Sequence, residues 1–476
     1  MGNSRISGKY REPILASGLE QNSLTSWLDS IDSFKLPGEA GAERLESDAG
    51  TAGGLIQQGW DFCSRLPVKS KRSLKERTAG ESVVELIRIV ARQFCQPHRK
   101  AIYQKLTNDF SQFLRVDEIA EKSAELWPGI MPSRKDLAQE AERMQLDKDG
   151  LELLQGIFFS QLLSEPEAGI HMLQAMLRPK PESLERLKAF QQDGVLQLDH
   201  ARLENRDGVA FIDLINTRYL NAEDDASIID HETAIDLALL HPEIKMGVLR
   251  GSVVDHPRYK GRRVFDSGIN LTKIYHGKLS FLFYLNRDWG MINKLYYGIA
   301  GNAPWEECKP ENTSEIPWIA AVESFAIGGG CQTLLVVDYV IAESGSYFNL
   351  PARKEGIIPG AANLRLARFL GERMARQAIM FDKTFYVESP EAAGLINEVV
   401  PREQMDQVIQ RTVDNALGSG MVSAAGNRKA LRVQQESLDS FRRYMTTYVE
   451  IQSQCHLSGQ LIHNLEKHWN AKEKKL

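Results

Sequence analysis

Two short glycine-bearing segments are where this sequence can do chemistry. Ala326-Ile327-Gly328-Gly329-Gly330-Cys331-Gln332 follows a β-rich run and precedes an apolar helical turn. Glycines there let the backbone come close to a ligand, and a helix start leaves N–H groups without partners. Phe265-Asp266-Ser267-Gly268-Ile269-Asn270-Leu271 ends another extended run, and its glycine permits a second sharp turn. Two such turns on neighbouring strands can aim two N–H donors at one oxygen. That is an oxyanion hole, in which each donor is worth about 3 kcal/mol of barrier. Either segment alone is equally compatible with an ordinary turn.

Ser267-Gly268-Ile269-Asn270, followed downstream by Ile327-Gly328-Gly329-Gly330-Cys331, by Val337-Asp338-Tyr339-Val340-Ile341-Ala342 and by Glu355-Gly356-Ile357-Ile358-Pro359-Gly360, resembles the crotonase, or enoyl-CoA hydratase/isomerase, superfamily. The resemblance covers about residues 205–400, with a looser match to the C-terminal helices. It implies a ββα spiral fold, an acyl-coenzyme A ligand, a thioester oxygen held by the backbone N–H groups of Ile269 and Gly329, and trimers or hexamers. Hydration in that superfamily uses two glutamates. Here their positions hold Gln332 and Ala352, neither of which can take up a proton as a carboxylate does. The anion-stabilising frame is kept and the hydratase acid/base pair is absent.

Further segments narrow the resemblance. The helical N-terminal extension, Leu220-Asn221-Ala222-Glu223-Asp224, His256-Pro257-Arg258-Tyr259, Gly261-Arg262-Arg263-Val264-Phe265 and Tyr275-His276-Gly277 are similar to the cofactor-independent dioxygenases that act on 3,5-dihydroxyphenylacetyl-CoA. The resemblance implies that Glu223, Arg287 and Gln332 surround the substrate ring, and that the reaction uses O₂ with no metal or organic cofactor. A dihydroxyphenyl ring needs such polar partners, because unpaired hydroxyls in an apolar pocket are costly. The group that takes the Cα proton is not legible. Other crotonase chemistry, such as isomerisation or thioester hydrolysis, is the alternative within enzymes; a non-catalytic acyl-CoA-binding protein is the alternative outside them.

Each of these residues also has a plainer reading. Glu223 stands beside Asp224 and Asp225, as in a solvated helix start, and Arg287 beside Asp288, as in a surface ion pair. Cys331 reads as a small buried residue. His241-Pro242-Glu243 with His256 has the composition of an iron site, but the spacing is common by chance and Pro242 suggests a helix end, so no metal is expected. Arg258, Lys260 and Arg262 form a basic stretch able to meet coenzyme A phosphates, or simply a solvated hairpin.

Elements must hold these groups in place. The 476 residues are too many for one ordinary core. Residues 1–75, with five glycines between Gly38 and Gly54, read as a flexible arm; residues 76–200 read as all-helical, broken at Pro97, with a capping box at Ser133. Residues 201–401 alternate β-rich runs (Val209–Leu214, Met246–Val254, Trp318–Glu323, Val336–Ala342) with helical ones (Glu223–Leu240, Lys273–Gly298), the pattern of an α/β core with a parallel or mixed sheet. Residues 402–476 read as a helical segment serving oligomerisation, with His456 and His463 on one helical face.

Composition excludes some functions. Lys plus Arg total 58 against 63 Asp plus Glu, a net charge of −5 that offers no overall attraction to nucleic acid or anionic membranes. The five cysteines contain no C-x-x-C pair, and the N-terminus has no apolar signal core or myristoylation pattern. The expectation is a cytoplasmic homotrimer or homohexamer with small-molecule partners.

Overall fold

A computed structural model of the chain describes residues 6–36, 41–309, 312–418 and 420–476. Twelve strands are present among them: β1 Val195–Gln197, β2 Ala201–Arg206, β3 Val209–Leu214, β4 Met246–Gly251, β5 Ile299–Ala300, β6 Thr313–Ser314, β7 Trp318–Val322, β8 Phe325–Ile327, β9 Tyr339–Glu343, β10 Tyr347–Asn349, β11 Phe385–Tyr386 and β12 Glu398–Val400. Seven of them form one sheet in the order β1-β2-β3-β4-β7-β9-β12, antiparallel from β1 to β3 and parallel beyond. The central strands are apolar on both faces, as burial on both sides requires; β7 is buried along its whole length. A smaller sheet runs β11-β10-β8, with β10 and β8 parallel. Crossing from β7 in one sheet to β8 in the other, twice over with β9 and β10, gives the ββα spiral.

Among the described residues the chain before β1 is built of helices and their connections, and here the structure corrects three expectations. First, the proposed flexible arm is folded. Helices Gly8–Leu15, Gln21–Ser33 and Leu45–Ser64 bury Leu24, Trp27, Ile31, Ile56 and Phe62, and Trp27 donates from Nε1 to the Leu55 carbonyl at 2.9 Å. Of the glycines that suggested a linker, Gly53 is a close helix contact, where a Cβ would collide with the Pro128 carbonyl; further along the same helix a Cβ on Gly59 would sit 2.7 Å from Ile87. Second, the helix Leu74–Thr107 runs straight through Pro97. Burial of Val90, Phe94 and Ile102 on both sides of it, about 1.5–3 kcal/mol each, outweighs the roughly 3 kcal/mol that an internal proline costs. Third, strand β1 lies inside the stretch read as all-helical. The Ser133 capping box opens Arg134–Glu140 as expected.

The C-terminal helices also differ in part. The apolar face of Leu438–His456, expected to serve oligomerisation, is covered within the chain by Glu152–Ser164, where Gly156 comes against the Ser453 side chain. His456 ends that helix and His463 lies in the next one, Gly459–Trp469, so they do not share a face. Among the described residues, no helix is long and apolar enough to cross a membrane.

Candidate active site

Backbone pairing sets the two glycine turns side by side. Asp266 bridges Ala326 of β8, and the Ile327 N–H donates to the Asp266 carbonyl at 3.0 Å. Two residues beyond each bridge partner the chain turns. Gly268 has φ +82° and Gly328 φ +52°, backbone that other residues rarely adopt. The turns touch: a Cβ on Gly268 would lie 2.8 Å from the Ile327 carbonyl and 3.1 Å from the Gly329 nitrogen. Glu223 clamps the first turn from the other side, its N–H donating to the Gly268 carbonyl and its own carbonyl accepting from Asn270, both at 2.8 Å. That leaves the Ile269 N–H facing away from Glu223. The second turn makes Gly329 the first residue of the helical turn Gly329–Thr333, where no residue of the helix can accept its N–H. Among the described residues neither the Ile269 nor the Gly329 N–H has an acceptor. Both residues line one small cavity.

Glu223, Arg287 and Gln332, from three separate segments, line the same cavity. Glu223 is 1% exposed and Arg287 3%, so neither is the surface charge its neighbours suggested. Every nitrogen of the Arg287 guanidinium is engaged. Nε donates to Glu223 Oε2 at 2.6 Å; Nη1 donates to Asp288 Oδ1 and to Gln332 Oε1, and Nη2 to the Gly329 carbonyl, each at 2.9 Å. Burial disfavours its charge, but Glu223 and Asp288 more than restore it, so it stays protonated. Arg287 can sit there because Lys273–Gly298 is not one regular helix. The chain is helical at Leu271–Tyr275 and again from Leu282, then widens into a π turn over Asn286–Ile292. Such π turns displace side chains from the regular spiral and are frequent at functional sites.

Glycine is required where the network meets backbone. A Cβ on Gly329 would overlap Glu223 Oε2 and lie 2.9 Å from Arg287 Nη2; a Cβ on Gly360 would overlap Gln332 Oε1. Beneath the turns lies Asp266, whose Oδ1 accepts from the Gly268 N–H at 2.6 Å. Burial and the nearby Glu223 carboxyl push Asp266 well above the usual carboxylate range. Most of the remaining wall is apolar or aromatic, with Phe283, Tyr284, Leu350, Ile358 and Tyr448 on it. Ala352, at the position of the second hydratase glutamate, also lines it and brings no acid.

Sequence reasoning missed Asp288, Glu355 and Tyr448, which line the cavity as well. The Tyr448 hydroxyl is buried without a partner among the described residues. Its only signal was membership of an apolar helical stripe. Glu355 stood inside a motif quoted for the fold, with nothing to mark its side chain.

The remaining candidates lie outside the cavity. Arg258 and Lys260 are exposed on the turn before the first glycine segment, whereas Arg262 is already paired with Glu343 at 2.8 Å. His241 is buried against Phe190, and its Nδ1 accepts from the Glu243 N–H at 3.2 Å. Among the described residues no group of three or more His, Cys, Asp or Glu side chains is placed to hold a metal ion. Cys331 is buried, which pushes its thiol up to about 12.

Residues 300–458 match the family model for enoyl-CoA hydratase/isomerase. The chain is 44% identical over 384 residues to the (3,5-dihydroxyphenyl)acetyl-CoA 1,2-dioxygenase of Amycolatopsis orientalis, an alignment covering 80% of this chain and 87% of that one. It is 27% identical over 226 residues to the short-chain-enoyl-CoA hydratase of Clostridium acetobutylicum, covering 46% and 78% respectively. A solved carnitinyl-CoA hydratase from Mycobacterium avium superposes on 59% of this chain and 98% of its own, with 21% identity and a TM-score of 0.47.

Proposed function

The chain belongs to the enoyl-CoA hydratase/isomerase family, in the group of the (3,5-dihydroxyphenyl)acetyl-CoA 1,2-dioxygenase, and we propose that it oxidises an arylacetyl-CoA with O₂ to the 2-oxo acid and free coenzyme A. The observation that carries the reading is the pair of unbonded amides, Ile269 and Gly329, opening on one cavity with Glu223, Arg287 and Gln332.

The thioester oxygen accepts from both amides. Charge that develops there when Cα loses a proton meets donors already in place, at no reorganisation cost. The enolate is conjugated with the dihydroxyphenyl ring, which makes it electron-rich enough to pass one electron to O₂. Recombination gives a peroxide at Cα. Its terminal oxygen attacks the thioester carbonyl and expels coenzyme A as thiolate. Loss of the second Cα proton with O–O cleavage leaves the arylglyoxylate, with both atoms of O₂ in it. Glu223 accepts from a ring hydroxyl, Gln332 accepts or donates, and Arg287 holds both in position. No cofactor is required in this scheme. Arg258 and Lys260, both exposed, are the cations available to coenzyme A phosphates, Lys260 only loosely paired with Asp255 at 4.0 Å; Arg262 is occupied by Glu343. A homotrimer or homohexamer is the proposed assembly.

With 3,5-dihydroxyphenylacetyl-CoA in air, O₂ consumption and thiol release are expected to match one to one and to be insensitive to chelators. Thiol release without O₂ uptake would identify a hydrolase, and neither signal a binding protein.

A further inference from the structure

We propose that Glu355 is the base that removes the Cα proton of the bound thioester. The proposal rests on the enolate reading above and goes beyond it by naming a residue. Glu355 ends the short helix Ala352–Glu355, and Gly356 then turns the chain at φ +86°. Its side chain lines the same cavity as Ile269 and Gly329, on the wall formed by Leu350–Gly360.

Three features separate it from the other carboxyls there. First, Glu355 is 6% exposed, yet its carboxyl has no hydrogen bond or ion pair among the described residues. Buried carboxylates are normally paired, and an unpaired one in a cavity is a group held ready for something absent. Second, its rivals are committed. Glu223 is paired with Arg287 through Oε2, and Asp288 is paired with it through Oδ1. Asp266 lies under the turn and does not line the cavity. Third, burial, reinforced by Asp382, pushes the Glu355 carboxyl up to about 8. A carboxylate of that basicity removes a carbon-bound proton far better than an ordinary one and remains partly ionised near neutral pH.

The surroundings fit a single free acid. Asp382, paired with Lys354, approaches from beyond the helix Glu372–Phe381. From Gly459–Trp469 come the neutral Leu461 and Asn464, beside Gly356. Tyr284 and Tyr448 face the same cavity, and burial holds both phenols well above their usual range, so neither competes for the role. Proton balance is simple. The Cα–H electron pair becomes the enolate, the proton passes to a Glu355 oxygen, and it leaves with the coenzyme A thiol at turnover.

The test is hydrogen exchange at Cα without oxygen. Wild-type protein, Glu355→Gln and Glu355→Asp are incubated anaerobically with 3,5-dihydroxyphenylacetyl-CoA in D₂O, and deuterium uptake is followed by mass spectrometry. Glu355→Gln is expected to lower exchange and aerobic kcat together by 10²–10⁴-fold, with KM little changed and the fold retained by circular dichroism. Glu355→Asp is expected to restore part of both. Exchange by folded Glu355→Gln at the wild-type rate would overturn the role of Glu355 and leave the dioxygenase reading intact. A wild-type protein that binds the thioester and exchanges nothing would overturn both.

Discussion

A carboxyl buried without a donor costs the fold something whenever it ionises. Glu355 has a carboxyl near 8 in the fold and near 4.5 in the unfolded chain. Between those values the folded state binds the extra proton, so stability from this group is complete below pH 4.5 and is lost as pH rises through 8. Glu355→Gln is therefore expected to unfold like the wild type at pH 5 and to be more stable at pH 9, by an amount on the order of a few kcal/mol. Urea titrations at the two pH values measure this, and equal differences at both would contradict the free, buried carboxyl. Arg287 is the opposite case. Arg287→Met strips partners from Glu223, Asp288 and Gln332 at once, so a loss of about 3–5 kcal/mol is expected alongside the loss of turnover. Gln332→Glu still leaves Ala352 in place of the second acid, so no hydration is expected when it is given crotonyl-CoA and loss of the conjugated double bond is followed by absorbance. Of these residues, Glu223, Arg287 and Gln332 were legible only through resemblance to known sequences. Charge pattern alone placed Glu223 and Arg287 on the surface, because burial of a charge depends on partners far away in sequence. Glu355 carried no local mark at all.

At the scale of elements, the two glycine turns matter because backbone pairing of Asp266 with Ala326 brings them together. Gly329→Ala places a methyl group on the Glu223 carboxylate. The displaced turn is expected to lower kcat by 10²-fold or more, the value of one oxyanion donor, with the fold retained by circular dichroism. Strands β3, β4, β7 and β9 were legible from apolar β-branched runs bounded by polar turns. The π turn at Asn286–Ile292 was not, since nothing in a helical apolar pattern reveals one extra residue in a turn. Nor was the continuity through Pro97, where long-range burial overrides a local rule. The N-terminal helices were hidden by their glycines. Small residues that signal a linker in isolation signal close helix contact once a partner exists. Gly53→Leu is accordingly expected to destabilise the protein by about 1–3 kcal/mol. A flexible arm would show no change in thermal midpoint.

Across the whole molecule, the helical part and the spiral core form one continuous hydrophobic interior. Arg115 binds Glu232 of the core at 2.8 Å, and Glu152 accepts from the Phe281 N–H at 2.7 Å, close to the segment that carries Arg287. Leu438–His456, lodged against Glu152–Ser164, delivers Tyr448 to the cavity wall. The division into a helical unit, an α/β core and a helical tail was legible from the change in apolar period. The joining of the three was not, because periodicity reports which face is apolar and not what covers it. The cavity is thus lined by the core and the tail, and the N-terminal helices pack behind the tail helix that reaches it. The most direct test of the account is a turnover of 3,5-dihydroxyphenylacetyl-CoA under ¹⁸O₂ in ordinary water, with the 2-oxo acid weighed by mass spectrometry. Both atoms of one O₂ are expected in the product, one coenzyme A thiol released for each; unlabelled acid with released thiol would contradict it.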